Sequence, residues 1–453
     1  MKSVAAPGAV VDSLYSDFLE RGLRYFLPGC QLELAGPATR NRPTLDFQSR
    51  PDGTLELDWF GHRYIFHHPH GTFSENQIRL VGAIASVLSA RHRSIFNAAS
   101  SATSLQLFRG LPEDRFVSAY LDPYPYLDEN VLPATEDYLA DAIEVLRESS
   151  LLTYENRRIS TGVLLFGPGH DADHEPPPAE SGSLKYTSAL TSIKSFHRLC
   201  DGLQTLFLVN RDGYLVNLID IRDWSSTAPE AELPAPSSNA YRPHCLATLH
   251  GGHICMVLTP NGEIKIFADG AQAFSFLSGR WRLTDVVEKF HEWRQSIGEP
   301  KLAERLFSAA LNLAEDRRGG LFVVLEDAEL TRHFVSASDL LEEACLPRAD
   351  AFEGAAKNQI HYLLRHKRVL ELAPALLETI ARMDGSIVVD RESNLLAFGA
   401  ILRNGVAGTC NQQLLEGGRT TAAVNASHFA SVLKISEDGL VSFYKSGQLV
   451  WEI

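Results

Sequence analysis

The chain has 453 residues, an apolar fraction of 45% and a formal net charge of -14, with acidic residues spread along its whole length. That length predicts two to four domains, and the composition is that of a folded globular protein. An acidic chain without a basic face excludes a phosphate-backbone binder, so no nucleic-acid partner is expected, although a small nucleotide needs only a few well-placed donors.

The six cysteines, Cys30, Cys200, Cys245, Cys255, Cys345 and Cys410, stand far apart with no CxxC pair or other metal-ligand spacing, so reduced buried thiols are expected. The N-terminal segment lacks the apolar core of a signal peptide, and no run reaches the length of a membrane span. A cytoplasmic protein with no membrane partner is therefore expected.

In chain order, helical spacing predicts a helix from Val11 to Phe26, and alternating segments on either side of Asp52-Gly53 read as a hairpin. Phe73-Ser74-Glu75-Asn76 then opens a second helix, a strand-then-helix ending similar to small sensor domains of the GAF type. These elements form a small N-terminal α+β module over residues 1–120. The Pro-, Asp- and Tyr-rich stretch 121–137 reads as a linker into a middle α/β module, residues 130–290. Inside that module, Asp223 to Arg242 is Pro/Ser/Ala-rich and reads as a surface loop.

An internal repeat organises the rest. Residues 241–270 align without a gap on 418–447, placing Arg242 on Arg419, Thr259 on Ser436, Gly262 on Gly439 and Gly270 on Gly447. Upstream, a helix and strand ending in GVLLFG correspond to those ending in GLFVVLED, and Asp201-Gly202 precedes a strand much as Asp384-Gly385 does. Apolar runs around Asp-Gly or Asn-Gly turns are common, yet order and spacing across the whole unit favour duplication.

Four elements carry candidate chemistry in residues 298–453: the strand GGLFVVLED (319–327), Asp384-Gly385-Ser386, then Gly417-Gly418-Arg419-Thr420-Thr421-Ala422-Ala423, and Ile435-Ser436-Glu437-Asp438-Gly439. In this order they resemble the diadenylate cyclase domain, the family that joins two ATP molecules into cyclic di-AMP. That family has Asp-Gly-Ala at the second element, Gly-Thr-Arg-His-Arg-Ala-Ala at the third and Val-Ser-Glu-Glu at the fourth. Read singly, Asp384 can cap a turn, Arg419 can be a surface ion-pair partner, and Ser436-Glu437 can be ordinary hairpin residues.

The resemblance implies an α/β multidomain fold. A C-terminal diadenylate cyclase-like mixed sheet flanked by helices would follow a related α/β module and the N-terminal α+β module. It implies ATP as substrate, Mg2+ or Mn2+ on Asp384 and Glu437, and a homo-oligomer with face-to-face modules. Asp384 and Arg419 would be catalytic, with Gly385, Ser386, Gly417, Gly418, Thr420, Thr421 and Ser436 binding the nucleotide. Thr420 and Thr421 stand where the family has His and Arg, and a hydroxyl cannot neutralise a phosphate. This departure keeps a second reading open: a sensor that binds ATP or a cyclic dinucleotide without turnover.

Lys357, Arg365 and Arg368, shortly before the Asp-Gly motif, are candidates to restore the lost charge. The histidines His62, His67, His68 and His70, and the loop cluster His170, Asp171, Asp173 and His174, match no ligand template and read as solvated. The chain contains no Walker A, nucleophile-elbow or kinase signature.

Overall fold

A computed structural model describes residues 7–38, 45–69, 71–96, 107–127, 137–169, 184–193, 195–226, 233–342, 361–403 and 417–453. The chain divides into two compact units, Met1–Leu233 with Pro243–Asp285, and Pro234–Arg242 with Val286–Ile453. Mixed sheets flanked by helices make both up, so the fold is multidomain α/β. Among the described residues no helix is long and apolar enough to cross a membrane.

The first unit opens with α1 (Pro7–Phe26), then β1 (Gln31–Pro37), β2 (Asp46–Ser49), β3 (Leu55–Trp59) and β4 (His62–His67), forming a sheet of order β1-β4-β3-β2. The hairpin expected around Asp52-Gly53 joins β2 and β3, with Gly53 at a φ of 83° that the turn requires. Helix α2 (Glu75–Phe96) starts with a reciprocal cap: the Ser74 N–H donates to Gln77 Oε1 at 3.0 Å and the Gln77 N–H to Ser74 Oγ at 3.2 Å. Then α3 (Pro112–Leu121) and α4 (Tyr138–Ser150) are tied together by a buried ion pair, Arg115 to Asp137 at 3.0 Å, while Asp137 also accepts the Ala140 N–H and so caps α4. Burying both charges is tolerable because the carboxylate is hydrogen-bonded again by Ser118.

After a two-residue ladder, β5 (Thr153–Tyr154) with β6 (Arg157–Arg158), the unit builds a seven-stranded sheet from β7 (Thr161–Leu165), β8 (Thr205–Val209), β9 (Leu215–Asp220), β10 (Ile254–Leu258), β11 (Ile264–Ala268), β12 (Ala271–Leu277) and β13 (Arg280–Leu283). Its order is β13-β12-β11-β10-β7-β8-β9, and only β7 and β8 run parallel. A short helix, α5 (Arg242–Ala247), precedes β10.

The second unit begins with α6 (Val286–Ile297) and α7 (Pro300–Glu315). Proline occupies the first turn of α7, and Glu299 caps it by accepting the Lys301 N–H at 3.3 Å. Six strands follow: β14 (Gly320–Leu325), β15 (Ser386–Asp390), β16 (Leu395–Ala400), β17 (Ala430–Ile435), β18 (Val441–Lys445) and β19 (Gln448–Glu452). The sheet order is β16-β15-β14-β17-β18-β19, with β14 and β15 parallel and every other pair antiparallel. Because successive side chains alternate, Phe322, Val324, Leu433 and Ile435 pack on one face with Leu306, Phe307 and Leu313 of α7. On the other face Leu321, Val323, Val432 and Tyr444 join Ala423 and Ala426 of α8 (Gly418–Ala426).

Strands β9-β8-β7-β10-β11-β12 therefore have the order and directions of β16-β15-β14-β17-β18-β19. Register agrees as well: Leu258 pairs Thr161 where Ile435 pairs Gly320, and Leu165 pairs Val209 where Val324 pairs Val389. That register puts Thr205 level with Gly385, so the two Asp-Gly pairs share a connection without being equivalent in position. The segment expected to be a surface loop inside the middle module behaves differently. Pro234–Arg242 belongs to the second unit, with Ala235 in its core and the Asn239 N–H donating to Asn312 Oδ1 at 2.7 Å. Pro234 and Pro236 keep its start out of helix and sheet but do not keep Ala235 on the surface.

Candidate functional site

Topology gathers the motif residues at one edge of the second unit's sheet. Since β14 and β15 are parallel and β17 is antiparallel to β14, the starts of β14 and β15 lie at the same end as the finish of β17. Asp384-Gly385 leads into β15, Gly319 into β14, and Ser436-Glu437 follows β17. Arg419 sits in the first turn of α8.

Arg419 is the hub of this edge. Its Nη1 donates to Glu437 Oε1 at 3.0 Å, and its Nη2 lies 3.9 Å from Asp384 Oδ1. The guanidinium rests on Gly319: a Cβ there would stand 2.0 Å from Nη1, so only glycine leaves the seat open. Asp384 is fully exposed, and the Glu437 and Arg419 side chains are 72% and 36% exposed. Exposed ion pairs contribute little to stability, so this grouping is not explained by the needs of folding.

The neighbouring motif residues fall into two groups. Gly417 has a φ of 98° and Gly418 has open space where a side chain would be, leaving the N-terminal end of α8 accessible. Others are occupied by structure. Ser386 is buried and its hydroxyl donates to Ala400 O at 3.0 Å. A Cβ on Gly385 would lie 2.5 Å from the Gly399 carbonyl carbon, so this glycine, at a φ of 114°, admits β16 rather than a ligand. The Ser436 hydroxyl bonds Asp438 and its N–H donates to Leu440 O at 2.9 Å, both within the turn to β18. Thr421 spends its hydroxyl on Gly417 O at 3.3 Å.

Thr420 is different, because its hydroxyl accepts a hydrogen bond from Lys434 Nζ at 3.1 Å. Lys434 comes from within β17 and was not among the candidate cations. Arg368 lies elsewhere: it donates to Glu392 O at 3.0 Å in the turn beyond β15, at the opposite end of that strand from Asp384. Arg365, on the same short segment, belongs to that end too. Lys357 lies outside the described residues, as do His70, the loop cluster from His170 to His174, Cys345 and Cys410. The other four cysteines are buried and form no disulfide.

Among the described residues no group of three His, Cys, Asp or Glu is placed to hold a metal ion. Two carboxylates on either side of an arginine suit a hard cation that keeps waters and shares phosphate oxygens, rather than a cage built by protein alone.

The first unit handles the corresponding edge otherwise. Asp201 Oδ1 accepts the N–H groups of Leu203, Gln204 and Thr205 at 2.9, 2.8 and 2.9 Å. Burial pushes its carboxyl up, but the Thr205, Gln204 and Leu203 donors outweigh that and hold it below the usual carboxylate range. His244, which the repeat aligns with Thr421, is completely buried and its Nε2 donates to Gly202 O at 2.9 Å; burial pushes its pKa down to about 4. Pro260 stands where the second unit has Glu437.

No family model matches the chain, and no curated protein matches it. Among solved structures, a hypothetical membrane spanning protein from Bacillus cereus is similar with a TM-score of 0.26 and 20% identity, over 36% of this chain and 70% of that one. A double mutant of DacA from Staphylococcus aureus gives a TM-score of 0.22 and 19% identity, over 34% and 86%. These scores are low, and the functional reading rests on the residues themselves.

Proposed function

We propose that the second unit binds ATP at the Asp384–Arg419–Glu437 edge and condenses two ATP molecules into cyclic di-AMP or a related cyclic dinucleotide. The convergence of these three side chains, drawn from separate stretches of sequence onto one sheet edge, carries this reading. In each half-reaction a 3′-hydroxyl oxygen bonds to the α-phosphorus of the other ATP, the bond from that phosphorus to the bridging oxygen of the β-phosphate breaks, and pyrophosphate leaves. Asp384 holds the attacking hydroxyl and accepts its proton, and the Arg419 fork steadies phosphoryl oxygens. Asp384 and Glu437 would hold Mg2+ or Mn2+, which when bound supplies charge neutralisation.

Each site serves half of the reaction, so two copies must meet face to face in a homo-oligomer. The first unit's seven-stranded part is read as a degenerate copy that has kept the fold and filled the site. A sensor without turnover is the second reading, favoured by the uncharged Thr420 and Thr421. Incubation of the full chain with ATP and Mn2+, read by mass spectrometry, separates the two. The enzyme predicts a cyclic dinucleotide that falls about 100-fold or more in Asp384→Asn. ATP-dependent thermal stabilisation without product supports the sensor, and neither product nor stabilisation removes both.

A further inference from the structure

Resting on the nucleotide reading above, we infer that Lys434 is a phosphate-binding residue of this site, supplying from β17 the positive charge that Thr420 and Thr421 lack. β17 is paired on both sides, by β14 and β18, so it has no free edge, and Lys434 is its one charged residue. A lysine inside such a strand must send its ammonium along a sheet face, and here its cross-strand neighbours are the apolar Leu321 and the hydroxyl of Ser442, neither of which matches its charge. The pleat puts it on the side of Val432, beneath α8, with Nζ 3.1 Å from the Thr420 hydroxyl and 6.0 Å from the Tyr444 ring centre.

Two comparisons give this placement its meaning. Arg419 is matched by two carboxylates, whereas Lys434 forms no ion pair among the described residues and is half-buried. Its charge therefore stays available to an incoming anion, beside the accessible first turn of α8 where backbone N–H groups also favour negative charge. In the first unit the repeat aligns Val257 with Lys434, and that module has also filled its Asp-Gly edge with His244. Charge at this strand position goes with an open edge, and an apolar residue goes with a filled one.

Binding of ATP and, separately, of adenosine to the full-length wild type, Lys434→Met and Lys434→Arg tests the inference by calorimetry. Lys434→Met is expected to weaken ATP about tenfold while changing adenosine less than about twofold, and Lys434→Arg to stay within about threefold of wild type for both. Lys434→Gln replaces the Met variant if that one melts far below wild type. ATP binding unchanged in the neutral variant, or ATP and adenosine weakened equally, overturns the role of Lys434 while the nucleotide reading stands. A wild type that binds neither ligand overturns both.

Discussion

The seven-stranded sheet of the first unit and the six-stranded sheet of the second share strand order and direction over six strands, and register apart from a one-residue slip where β15 starts, yet they use one edge differently. In the first, one oxygen of the Asp201 carboxylate takes three backbone N–H groups, and a buried, neutral histidine bonds the carbonyl of the adjoining glycine. In the second, two carboxylates and two cations remain within reach of solvent. A fold constrains its glycines and its apolar faces; chemistry requires charged groups within reach of a ligand, and the second sheet keeps three such side chains together at its edge.

This contrast breaks first at the glycines. Gly385→Ala and Gly202→Ala place a Cβ 2.5 Å from Gly399 and 2.4 Å from Thr161 O, both at positive φ, so each is expected to cost roughly 2–4 kcal/mol, read as a drop in melting temperature. Only the first should also reduce ATP binding; equal effects of both on the ligand would deny the asymmetry.

Next comes acid. His244 has a folded pKa of about 4 against an ordinary 6.5, so the unfolded chain takes up a proton there that the folded chain refuses. Its contribution is complete above pH 6.5 and is lost as pH falls toward 4, a difference on the order of 3 kcal/mol. Melting temperatures of wild type and His244→Gln across that range should converge as pH falls; parallel curves would show that His244 is not the titrating group.

The smallest expected effect on stability is the most selective. Gly319→Ala meets only the movable end of Arg419, so it should change stability by less than about 1 kcal/mol while weakening ATP binding several-fold. A loss of stability without a loss of affinity would mean that the guanidinium has another place to go.

Much of this was legible in the sequence. Motif order singles out Asp384, Arg419 and Glu437, which the structure brings together, and turn and capping chemistry gives the hairpin at Asp52-Gly53 and the start of α2. Lys434 was not, because a single lysine in an apolar run carries no sign of which face it joins; the pleat and the pairing of β17 decide that. Arg365 and Arg368 were near Asp384 in sequence but belong to the other end of β15, since a strand separates what the chain places close together. The hydroxyls of Ser386 and Ser436 have the right chemistry for phosphate, but sheet and turn already hold them through partners far off in the chain or set by the turn's geometry. Pro234–Arg242 has the composition of a loop, which says nothing about the unit it packs in.

Gly319 carries a consequence for descent. Thr161 and Gly320 hold the same place in their sheets, which makes Ser160 the counterpart of Gly319. The first atom of a side chain is enough to make the difference: with a Cβ at 319 the arginine fork cannot lie flat against the strand, and without it the seat is open. One small substitution at this position can therefore close the arginine's seat while the pairing of the strands beside it stays the same.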